Sequence, residues 1–143
     1  MDGETIDTKD MVHEYCTRTG TLDGGSAEAT YDIYYTGEVL NVLRAEEKVI
    51  SSSDTVLDEY ESAFEAISAH YDGLEYYDSE VIRGDTTVRM VTIINYDKID
   101  IEELISIEGA DDNIVEDGIA KVDKWKELSK KVGVTCTKVT EEA

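Results

Sequence analysis

From Ala27 to Tyr35 the chain alternates with a period of two, and no other feature of the sequence restricts its fold as much. Ala27, Ala29, Tyr31, Ile33 and Tyr35 fall on one side, and Glu28, Thr30, Asp32 and Tyr34 on the other. That is the pattern of a strand with one buried and one wet face. Such a strand needs strand partners, and its flanks supply them. Met11 to Thr19 is rich in β-branched and aromatic types and reads as a preceding strand that carries Cys16. Positions 20–26, GTLDGGS, read as the turn between the two. Thr36-Gly37-Glu38 reverses the chain into a third strand over Val39 to Ser51, whose alternation slips near Leu43–Ala45 and so indicates a bulge there. Three consecutive strands with short connections make an antiparallel meander.

The period then changes. Val56, Leu57, Tyr60, Ala63, Phe64, Ile67 and Tyr71 recur at helical spacing after a Ser51–Asp54 start, with Thr55 and Asp58 placed like a capping box and Gly73 at the far end. Two more strands, Tyr76 to Arg83 and Thr86 to Tyr96, flank a two-residue Gly84-Asp85 turn. Both faces of the second are apolar around Met90 to Ile94, which places it inside the sheet. Asp100 and Glu103 cap a short helix bearing Ile101, Leu104 and Ile105. A loop-like acidic segment covers 108–118, a helix runs from about Ile119 to Val132, and Val134 to Val139 forms a last strand around Cys136. The fold class is α+β: an antiparallel sheet in β-β-β-α-β-β-α-α-β order with helices packed on it. Residues 1–10 read as a flexible leader and 11–143 as a single domain.

A chain of 143 residues buries roughly 68–70% of its unfolded surface, enough for one core. Its formal net charge of −21 excludes nucleic acid as a partner, because binding there draws its affinity from neutralising phosphates. Anionic membrane surfaces are disfavoured for the same reason. No run of 18 apolar residues is present, so no helix is long enough to span a bilayer. The opening MDGETIDTKD has neither the basic nor the apolar region of an export signal.

Few motifs carry chemistry. The acidic segment offers Glu108, Asp111, Asp112, Asn113, Glu116 and Asp117 as oxygen ligands for calcium. It lacks EF-hand spacing, so any binding there is of the weak extracellular kind, on the order of 10⁻⁴–10⁻³ M, and a solvated loop is the simpler reading. His13 and Cys16 point to opposite faces of one strand and cannot share a metal, while His70 sits where a cation offsets a helix dipole. Neither histidine accompanies a nucleophile motif. Arg83-Gly84-Asp85 spells an adhesion tripeptide, but three residues recur by chance and these suit a hairpin turn. Gly24-Gly25 lacks the helix and lysine of a phosphate loop, and no cofactor is expected. Among nine tyrosines, the pairs Tyr34-Tyr35 and Tyr76-Tyr77 each turn one ring inward and one outward. The outward rings either line a peptide or sugar groove or rest on a solvated sheet face.

Cys16 and Cys136 lie mid-strand near opposite ends of an otherwise cysteine-free chain. A first and a last strand can be sheet neighbours, so a disulfide is the favoured reading and two buried free thiols the alternative. Neither residue belongs to a C-x-x-C pair, so no redox motif or zinc knuckle is indicated.

The early CTRTGTL, the strand ATYDIYYTGEVL before a long amphipathic helix, the stretch EYYDSEVIRGDTTVRMVTIINYDKIDIEELI and the closing KKVGVTC span Cys16 to Cys136. Together they resemble the YehR-like bacterial lipoproteins, a family of unknown function. The resemblance implies an extracytoplasmic, cell-envelope domain tethered by an N-terminal lipid or membrane anchor, and carries no active-site residues across. The chain departs from that pattern in having no lipobox before Cys16, which makes the acidic leader the remnant of a tether. The expected function is therefore non-enzymatic binding of an unknown protein, peptide or envelope component, with membrane contact only through a removed anchor. The alternatives are a small cytosolic adaptor and a metal-dependent hydrolase using the acidic segment.

Overall fold

The computed structural model describes residues 10–108 and 114–139. The meander forms as the alternation requires: β1 (Val12–Leu22), β2 (Gly25–Thr36) and β3 (Val39–Ser51) pair antiparallel in succession. The β1–β2 turn is tighter than the glycine content predicts. Gly20 pairs with Ala27 and Leu22 with Gly25, which leaves Asp23 and Gly24 to reverse the chain. Gly24 takes the positive φ (82°) that such a turn demands. Gly25 is required for space, because a Cβ there would lie 2.2 Å from the Ile50 carbonyl oxygen of β3.

The bulge falls at Asn41 rather than at Leu43–Ala45. Tyr34 faces Val42 and Tyr35 faces Leu40, so Asn41 is the extra residue. Its carbonyl accepts from Tyr96 N (2.8 Å), its Nδ2 donates to Asp97 (2.7 Å), and its Oδ1 accepts from Thr36 (3.0 Å). The displaced backbone group is thus satisfied from outside the ladder.

Helix α1 (Asp54–His70) starts two residues earlier than the expected box, because Ser53 is the N-cap and its Oγ accepts from Val56 N. Replacing Ser53 by alanine leaves that N–H without its cap, and we expect a loss of about 1 kcal/mol in urea titration. An unchanged midpoint would show that the cap contributes nothing. Leu57 and Phe64 are buried against Val49, Val88 and Met90. Ile67 is 41% exposed, contrary to the expected stripe; at that level Ser68 faces the sheet and bonds Ser79, Oγ to Oγ, at 2.6 Å.

β4 (Tyr77–Arg83) and β5 (Thr87–Asn95) are joined by three residues, 84–86, not two, with Gly84 N donating to the Thr87 carbonyl. β5 lies inside the sheet between β3 and β4, as its two apolar faces require. Helix α2 (Ile101–Glu108) carries the expected cap, Asp100 accepting from Glu103 N at 3.1 Å. The expected helix start at Ile119 is overturned. Asp117 and Gly118 both take positive φ (55° and 80°) and fold β6 (Val115–Glu116) onto β7 (Ile119–Ala120). An Asp-Gly pair is a strong hairpin signal, and it shortens α3 to Val122–Lys131.

The chain closes with β8 (Thr135–Lys138), which pairs antiparallel with β1. The sheet order is β4-β5-β3-β2-β1-β8. One face of the sheet carries the helices. Beneath them lie two apolar clusters, one under α1 and a larger one that includes Ile33, Leu43, Ile94, Leu104 and Trp125.

Candidate binding cleft

Between α1 and the end of α3, the helix-facing side of β1, β2 and β3 is not filled. The inward positions there are occupied by Gly20, Ala27 and Ala29, which are too small to reach the helices above them. A Cβ built on Gly20 meets nothing within 4 Å. The result is a cleft of about 440 Å³, walled by Tyr60 and Phe64 of α1 and by Val132 and Gly133 after α3. This volume suits a small organic ligand.

Four charged residues line this largely apolar space, and two of them lie on its helix-facing floor. Arg18, Ala29 and Glu47 stand in one row across β1, β2 and β3, all on the helix-facing side. Among the described residues, the Arg18 and Glu47 side chains make no hydrogen bond or ion pair, to each other or to any neighbour; they interact only as charges at a distance. Burial pushes the Glu47 carboxyl above its ordinary value, and the Arg18 charge opposes that shift. Burial and the Glu47 charge likewise raise the Tyr31 phenol.

A raised carboxyl means that the fold prefers the neutral form. The stability linked to Glu47 is therefore complete in acid and lost as pH rises through its folded value. Glu47→Gln keeps the shape without the charge, so it should raise the melting temperature at neutral pH, with the gain vanishing in acid. A variant that melts lower than the parent at neutral pH would contradict this placement of the charge.

A second polar cluster is built differently. Glu14, 5% exposed, points inward from β1 and accepts hydrogen bonds from Tyr35 Oη and Lys126 Nζ. Lys126 also lies 4.9 Å from the centre of the Tyr35 ring. Burial pushes the Glu14 carboxyl up, but the bonds from Lys126 and Tyr35 and the charges of Lys126 and Lys138 outweigh it and leave it below the usual range. Burial and the bond to Glu14 raise the Tyr35 phenol; Lys126 is raised by Glu14 against the opposing effect of burial. Every member is satisfied, so the cluster is a tie between α3 and the sheet.

The residues singled out in the sequence are distributed as follows. Cys16 and Cys136 face each other across β1 and β8 and form a disulfide. Of the acidic segment, Asp111, Asp112, Asn113 and the Glu108 side chain lie outside the described residues. Glu116 pairs with Lys124 at 3.4 Å, and Asp117 occupies the β6–β7 turn. That turn replaces part of the expected loop. Among the described residues, no three metal-binding side chains converge. His13 bonds Asp32 (2.7 Å) and stacks on Tyr34 on the helix-free face. His70 donates to the Ile107 carbonyl. Arg83 is held by Asp58 and Glu61 of α1, both at 2.9 Å. The tyrosine pairs pack singly: Tyr35 on Glu14, Tyr77 stacked on Tyr71, and Tyr76 beneath Lys98. Tyr60 lines the cleft instead.

The solution structure of the E. coli YehR protein superposes on this chain with a TM-score of 0.61, covering 94% of this chain and 95% of that one at 18% identity. The chain has a YehR-like fold. A protein from Streptococcus pneumoniae TIGR4, also solved by NMR, shares the YehR-like arrangement with a TM-score of 0.53 at 17% identity, over 94% of this chain and 89% of that one. No protein-family model matches the sequence, and no curated protein matches it either.

Proposed function

We propose that the chain is a non-catalytic binding domain of the bacterial cell envelope, anchored at its N-terminal side, which holds a small ligand in the cleft between the sheet and helices α1 and α3. The observation that carries this reading is the cleft itself, with a carboxylate and a guanidinium on its floor that have no bonded partner among the described residues. Among the described residues no buried polar side-chain atom lacks a partner, so water reaches both charges, and a ligand entering the cleft can take the place of that water. The described lining contains no histidine, cysteine or serine, which favours binding over acyl transfer by a Ser-His or Cys-His pair. The Cys16–Cys136 disulfide favours an oxidising compartment over a cytosolic adaptor.

The test is a protein-observed NMR screen with fragments of all charge classes. Shifts should concentrate at Arg18, Gly20, Ala27, Tyr60 and Val132, and should disappear in Ala27→Phe, whose ring fills the cleft. Hits whose shifts persist in that variant, or a complete absence of shifts at those residues, would overturn the assignment.

A further inference from the structure

The charges in the cleft are balanced in a particular way. Arg18 is on β1 and Glu47 on β3, with only the Ala29 methyl on the strand between them. Two strand spacings put their Cα atoms about 9–10 Å apart. The two side chains stay beyond ion-pair contact, yet are near enough for the guanidinium to act on the carboxyl. Glu28 and Lys48, opposite each other in the β2–β3 ladder, also border the cleft and add no net charge.

A cation entering this space is attracted by Glu47 and repelled by Arg18, and an anion meets the reverse. A neutral molecule strips water from both charges and repays neither. Only a ligand bearing both signs gains at both ends. We propose that the occupant is a small zwitterion whose cationic group meets Glu47 and whose anionic group meets Arg18, with an apolar body over Ala27, Val49 and Phe64. This rests on the reading of the cleft as a ligand site. Charge-assisted bonds of an ammonium to a carboxylate and of a carboxylate to a guanidinium are the strong, directional kind. The apolar wall of Val49, Tyr60 and Phe64 favours a hydrocarbon or aromatic side group over a bare amino acid.

The experiment titrates the intact domain with the common amino acids and short ω-amino acids. Each is tested beside its amide (cation only), its N-acetyl form (anion only) and its doubly capped neutral form. At least one zwitterion should bind ten times more tightly than its three counterparts, with shifts at Gly20, Ala27 and Tyr60. In Arg18→Met the preference should pass to the amide, and in Glu47→Gln to the N-acetyl form; preserved NMR dispersion confirms that both variants remain folded. Capped forms that bind the cleft as tightly as every zwitterion would overturn the proposal and leave the binding cleft standing. No shift at the cleft from any probe, together with a negative fragment screen, would overturn both.

Discussion

Reducing the Cys16–Cys136 bridge should destabilise the domain by about 5 kcal/mol in urea titration. The bridge joins residues 120 positions apart, and the loop-entropy model gives about that value for a closed loop of such length. Reduction is the cleaner comparison, because Cys16 is fully buried and replacing it would add a cavity. Strand β8 has four residues, pairs among the described strands with β1 alone and is exposed along its length, so once reduced it keeps little else to hold it. A difference below 1 kcal/mol between oxidised and reduced protein would show that the sheet closes without the bond. Intact mass of protein exported in its native host, before and after reduction, tests the compartment. Two free thiols there would remove the main support for an envelope location.

Lys126→Met should cost about 2–3 kcal/mol. It strands the Glu14 carboxylate, whose side chain is 7% exposed while that of Lys126 is 35% exposed. Breaking a buried pair from one side costs about 3–5 kcal/mol, and the lower figure here reflects the water that reaches Lys126. Glu14→Gln combined with Lys126→Met should recover much of the loss, and a double-mutant cycle reads the coupling. The pH dependence follows from the lowered Glu14 carboxyl. Its contribution is present above the ordinary carboxylate value and is lost as pH falls through its lower folded value. The parent should therefore lose stability in acid more steeply than the double variant. Equal acid profiles, or additive single effects, would mean that Glu14 and Lys126 do not act together.

Most of the sheet was legible because its faces differ. Ala27–Tyr35 alternates with one half-buried face and its neighbours follow the same period, and the favoured Cys16–Cys136 pairing sets the last strand beside the first, where the structure has it. The errors fall where local chemistry competes with pattern. Gly20 and Gly25 look like turn residues but pair within strands, because ladder contacts outweigh glycine's weak strand preference. Asp117-Gly118 lies in a stretch whose acidity reads as loop, although its residues favour the two-residue hairpin that displaces the start of α3. The cleft does leave a signal in the sequence. Glu14 and Arg18 share the inward face of β1 with Cys16, and Glu47 lies between Ala45 and Val49 on the inward face of β3. An acid or base on a buried face stands out even in a chain with 34 acidic residues. What the strands could not reveal was the height of the helices above Gly20, Ala27 and Ala29, which depends on how α1 and α3 pack.

The antiparallel β1–β8 pair gives the domain an unusual mechanical character. Val139 N bonds the His13 carbonyl, so the chain enters and leaves at one corner. A pull on its two ends is carried by a few residues of β1, the sulfur–sulfur bond and the end of β8. Everything between Cys16 and Cys136 lies inside the covalent loop and is shielded from tension, the cleft included. Oxidised, the domain acts as a short inextensible link. Reduced, it can pay out roughly 400 Å of chain, at about 3.4 Å for each of the 120 positions released.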